Sequence, residues 1–67
     1  MDKVEEVARI DRERIEARLS HVKLAERAGV DAATWWRVRK NPESLTLDTL
    51  DKLEKAIKSK RTEMADA

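Results

Sequence analysis

Residues 21–40, HVKLAERAGVDAATWWRVRK, decide how this chain folds. They read as a helix over 21–28, a turn through Gly29, Val30 and Asp31, and a second helix over 32–40. Leu24, Ala25 and Ala28 share one face of the first helix, and Ser20 stands where its cap belongs. Gly29 fits a helix end that needs positive φ, where a β-carbon is costly. Val30 is placed to plug the corner, and Asp31 to cap the second helix. Trp35 and Val38, three residues apart, turn the underside of that helix inward, with Trp36 rotated about 100° from its neighbour. The opposite side presents Ala32, Ala33, Trp36, Arg37 and, obliquely, Lys40. Asn41-Pro42 closes the helix, because proline disfavours helical geometry in the residue before it.

Working outward, Asp2 is positioned to cap a first helix running to about Arg18. Its loose apolar stripe is Val4, Val7, Ala8, Ile10 and Ile15, and Glu5 with Arg9 is a supporting i,i+4 pair. Leu19 and Ser20 break it. After the motif, a loop through Ser44 and Leu45 leads to Thr46, the cap of a further helix reaching Ile57 or Lys58. Leu47, Leu50, Leu53, Ala56 and Ile57 form its inner face. Asp48–Lys52, Asp51–Lys55 and Glu54–Lys58 are acid-before-base pairs on its outer side. From Ser59 the tail SKRTEMADA loses periodicity and reads as frayed helix or disorder. The expectation is therefore an all-α bundle of four helices, five if the tail adds one, with the helix–turn–helix at its centre. Residues 1–58 form the domain and residues 59–67 the tail.

The bulk composition agrees with that reading. The 67 residues hold no cysteine, one glycine and one proline, 43% are charged, and the net charge is +1. A chain this short lies near the size limit for a single core, so its stability must come from helix packing, to which self-association would add. No apolar run approaches the roughly 20 residues of a membrane span, and no signal-peptide pattern opens the chain; a cytoplasmic protein of prokaryotic or phage origin is expected. The charge is unevenly placed. Residues 1–31 balance to −1 and residues 43–67 to −1, whereas residues 32–42 hold Arg37, Arg39 and Lys40 with no acid. A local cationic face in an otherwise balanced chain is the electrostatic footprint of phosphate binding. Catalysis is not expected. The carboxylates alternate with bases on helix faces, and there is neither a nucleophile–base arrangement nor a glycine-rich phosphate loop. His21, the only histidine, has no companion ligand for a metal. No cofactor and no small-molecule ligand are expected.

A helix enters the DNA major groove only if a partner helix holds it away from the protein surface, which requires close crossing (small Ala25) and a tight corner (Gly29, Val30). The segment LSHVKLAERAGVDAATWWRVRKNP resembles the helix-turn-helix core of the Cro/C1-type, phage-repressor family, and TLDTLDKLEKAI resembles the helix that follows it there. The resemblance runs from about Ile10 to Ile57 without a gap inside the motif and implies a lambda-repressor-like bundle. It places base readout on Ala32, Ala33 and Arg37 with Trp36 beside them, and phosphate contacts on His21, Lys40, Asn41 and Ser44; Thr34 and Arg39 are further candidate phosphate contacts of this chain.

Four departures accompany it. Alanines stand where polar base readers are usual, leaving apolar contact with thymine methyls at Ala32 and Ala33. Arg39 replaces the glutamate that usually pairs the first-helix arginine, here Arg14, so Arg39 turns outward to phosphate or finds Glu13 or another acid. Trp35 is much larger than the usual aliphatic. The usual fifth helix is missing or reduced to the tail. Trp36 is left open between DNA contact, a dimer interface and plain surface.

The resemblance implies a sequence-specific regulator of transcription that binds double-stranded DNA, a homodimeric autorepressor on an inverted-repeat operator. Its niche would be a phage or mobile-element operon, with anti-CRISPR-associated and antitoxin-type roles both open. The competing expectation is a helical protein-interaction module, such as the partner-binding half of a toxin–antitoxin pair, that uses Trp36 and the fourth helix.

Overall fold

The structure is a computed structural model that describes residues 1–66; Ala67, the last residue of the expected tail, lies outside them. Four helices follow one another: α1 (Lys3–Glu16), α2 (His21–Ala28), α3 (Ala32–Lys40) and α4 (Leu47–Asp66), with a 3-10 turn over Pro42–Ser44 between the last two. No strand occurs among the described residues. Local chemistry sets most of these boundaries. The Asp2 carboxylate accepts from the Glu5 N–H at 3.2 Å, the Ser20 hydroxyl from Lys23 at 3.1 Å, Asp31 from Ala33 at 3.1 Å and Thr46 from Thr49 at 3.1 Å. Each satisfies a donor that the first helical turn leaves without an intrahelical partner.

The core is apolar throughout. Val7 and Ile10 of α1, Leu24 and Ala25 of α2, Trp35 and Val38 of α3, and Leu50, Leu53, Ala56 and Ile57 of α4 are buried, joined by Ala17, Leu19 and Leu45 from the connections. Helix α2 packs on both α3 and α4, while α1 lies against α4 and the 3-10 turn. Lys3 donates to the Glu43 carbonyl at 3.1 Å, fixing the start of α1 to that turn.

Several expectations change. Helix α1 stops at Glu16 instead of Arg18. Arg18 adopts left-handed φ of 59°, its N–H reaches the Ile15 carbonyl at 3.0 Å, and the Leu19 N–H reaches Arg14 at 3.1 Å. This is a Schellman closure built on a non-glycine residue, which buries Leu19 beneath the helix end. Of the expected α1 stripe, only Val7 and Ile10 are buried; Val4, Ala8 and Ile15 are exposed. Arg9 does not pair with Glu5. It faces α4 and binds Glu6 at 2.5 Å, Glu13 at 3.1 Å and Glu54 at 2.5 Å. Glu54 is thereby taken from its expected partner Lys58, while Asp48–Lys52 and Asp51–Lys55 form as expected. Leu47, expected on the inner face, is exposed as the first residue of α4. That helix continues through Asp66, well past Ile57 and Lys58, and Arg27 of α2 holds its outer half by donating two guanidinium nitrogens to Glu63.

Candidate nucleic-acid interface

The α2–α3 corner is closed by backbone hydrogen bonds around Gly29. At φ of 69° its N–H meets the Glu26 carbonyl at 3.2 Å, and the next N–H, that of Val30, reaches Ala25 at 3.0 Å. Ala25 is buried, and its small side chain lets α2 and α3 approach closely. Trp35, only 1% exposed, and Val38 fasten the inner side of α3 to the core. What remains of α3 is a projecting outer face.

On that face Ala33, Trp36, Arg37 and Lys40 are exposed together, with Trp36 at 53%. Among the described residues neither Arg37 nor Lys40 forms an ion pair, so both cations are free to meet an anion. The other expected site residues lie differently. Ala32 is half-buried and packs against the core, and Thr34 is half-buried. Asn41 is exposed beside the turn. Its carbonyl accepts from the Ser44 hydroxyl at 2.7 Å, so that hydroxyl is already engaged within the loop.

His21 and Arg39 join a cluster behind the reading face. The buried Trp35 indole donates to His21 Nδ1 at 3.1 Å. An accepting Nδ1 carries no proton, so the ring hydrogen sits on Nε2. The His21 ring leans on Trp36 with centroids 5.3 Å apart, and the Arg39 guanidinium lies 4.9 Å from the Trp36 ring centre and 6.0 Å from that of Trp35. A cation over an indole face is attracted by the ring quadrupole, so Arg39 braces Trp36 while leaving half of it exposed. Asp11 of α1 closes the cluster: its Oδ1 accepts from Arg14 Nε at 3.0 Å and lies 3.9 Å from His21 Nδ1 and 4.0 Å from Arg39 Nε. The two arginines that cannot pair with one another thus share one acid. Burial lowers the His21 pKa below its ordinary value, the Arg14 and Arg39 charges lower it further, and Asp11 opposes them.

Sequence reasoning missed Asp11 and the acceptor that the buried indole required. The second was in principle legible: a tryptophan placed in an apolar core must find a partner for its N–H, and His21 was the polar side chain at the facing helix start.

The fold and this projecting face define a DNA-binding helix-turn-helix protein. The family model for the Cro/C1-type HTH DNA-binding domain matches residues 9–62, and the chain belongs to that family. No curated protein and no solved structure matches it. Among the described residues no helix is long and apolar enough to cross a membrane.

Proposed function

We propose that the protein is a sequence-specific repressor of transcription that binds double-stranded DNA as a homodimer on an inverted-repeat operator, controlling its own small phage or mobile-element operon. One observation carries this reading: Ala33, Trp36, Arg37 and Lys40 stand together on the acid-free outer face of a helix that a tight corner lifts from the protein body. In the major groove Arg37 forks onto guanine O6 and N7. Ala33, with Ala32 at its edge, meets a thymine methyl, and Trp36 adds contact along the groove wall. Lys40 and Asn41 hold phosphates beyond the helix end, and His21 offers its Nε2–H at the start of α2. A dimer would set two such helices about 34 Å apart, one turn of the duplex. With alanines on the reading face, DNA shape supplies part of the discrimination.

Selection of bound sites from random duplexes, followed by titration at several salt concentrations, tests the proposal. Enriched sites form inverted repeats, and affinity falls by orders of magnitude between about 50 and 200 mM salt as counterions are released. Failure to bind any duplex at low salt overturns it.

A further inference from the structure

An open groove of about 830 Å³ runs between the first half of α1 and the outer side of α3. Val4, Val7, Ala8 and Trp36 belong to its apolar lining, and the exposed cations Arg37 and Lys40 line it as well. Val4 is 59% exposed and Ala8 is exposed as well, so neither serves the core. Asp11, the acid among the lining residues, is already bound to Arg14. The groove therefore combines exposed apolar surface with two unpaired cations, and no core contact explains that combination.

We propose that this groove docks an acidic amphipathic segment of another protein, which sets apolar side chains against Val4, Ala8 and Trp36 and places carboxylates on Arg37 and Lys40. Duplex DNA matches the two cations but not the exposed apolar Val4 and Ala8, because its only apolar features in the major groove are thymine methyls. A second copy of this chain matches the apolar lining but not the cations. In a two-fold contact both sides are this same patch, which brings Arg37 and Lys40 twice and, as its acid, Asp11, already held by Arg14. A segment with apolar and acidic faces matches both. Because Arg37 and Lys40 also belong to the proposed DNA-reading face, segment and duplex exclude each other, and the partner acts as an antagonist of DNA binding. That competition rests on the proposed function; the docking itself does not.

The test pans phage-displayed random 16-residue peptides against the full chain, then titrates the synthesised winners at physiological salt. The winners are expected to combine surplus Asp and Glu with large apolar residues. Val4→Asn with Ala8→Asn, both on exposed positions and outside the proposed reading face, should weaken them about tenfold or more while duplex affinity stays within about twofold. Arg37→Ala should weaken peptide and duplex together, and added duplex should displace the peptide. Circular dichroism verifies that the variants fold. The proposal is overturned if nothing is enriched, if neutral or basic peptides win, or if acidic winners ignore the double substitution. It also falls if sedimentation shows that this substitution dissociates a dimer, which would assign the groove to a second copy. Peptide binding without duplex binding would leave the docking standing and remove the DNA reading; the reverse result would do the opposite.

Discussion

Arg18 and Gly29 occupy equivalent places, each a left-handed residue closing a helix, yet only one is a glycine. A β-carbon in this conformation costs about 1–2 kcal/mol, part of which is offset because glycine loses more entropy on folding. Arg18→Gly should therefore stabilise the protein by about 0.5–1 kcal/mol, and Gly29→Ala should destabilise it by a similar amount. A β-carbon at Gly29 would meet no atom within 4 Å, so the expected loss is conformational and not steric. Thermal melts check both, at about 4–8 °C per kcal/mol for a domain of this size; a destabilised Arg18→Gly would refute the strain argument. His21 is the second residue whose chemistry is directional. Its pKa is depressed, so the unfolded chain takes up the proton more readily than the folded one. Its contribution is complete above about pH 6.5, the ordinary imidazole value, and is lost as pH falls through the lower folded value. Protonation removes the acceptor of the buried Trp35 indole, which is one physical reason the folded state resists it. His21→Gln keeps an acceptor without titrating, so its urea midpoint should fall less steeply than that of the parent between about pH 7 and pH 5. Equal slopes would remove His21 from the account. On the proposed reading face, Arg37→Ala should cost about 1–3 kcal/mol at one base pair, while Lys40→Ala should weaken all sequences alike. Uniform losses from both would end the base-reading role of Arg37.

Helices α1 and α4 meet through Arg9, whose guanidinium is shared by Glu6, Glu13 and Glu54. Removing it breaks the cross-helix contact and leaves three carboxylates near one another without their cation. Arg9→Ala should lower stability by about 1–2 kcal/mol once solvent screening is allowed for, and by less in about 1 M salt. An effect independent of salt would assign the loss to packing. The outer half of α4 differs in kind. Among the described residues none after Ile57 is buried, and its tie to α2 is the exposed Arg27–Glu63 pair. Deleting residues 61–67 should therefore move the urea midpoint much less than Arg9→Ala does. Periodicity could not have read the length of this helix, because the segment after Lys58 lacks an apolar stripe. The contact that ties it to α2 joins residues 36 apart in the chain, which no local pattern reports.

Taken whole, the molecule is a small apolar core that presents one cationic helix. Both are needed for the proposed role: the core fixes Trp35 and Val38, and that constraint turns Arg37 and Lys40 outward. Much of this was legible from spacing, since Trp35 and Val38 can share a buried face only if Trp36 and Arg37 point away. The supporting cluster was not. Asp11, His21, Trp35, Trp36 and Arg39 come from three helices, and no sequence period reports which side chains meet across a helix crossing. The groove beside α3 was hidden for the same reason. Val4 and Ala8 read as part of an inward stripe, but α1 turns Val7 and Ile10 to the core and leaves the other two exposed.

The sequence by itself determined the helix starts, the corner and the family, because caps, a left-handed glycine and apolar spacing act within a few residues of one another. Only the tertiary structure decided which acid Arg9 holds across the α1–α4 contact, how Asp11 reconciles Arg14 with Arg39, and that the Trp35 indole rests on His21. Leu45, placed in a loop by its sequence, became core in the same way. Each of these outcomes depends on how helices cross, which is set by the fit of whole faces and not by any local run of residues.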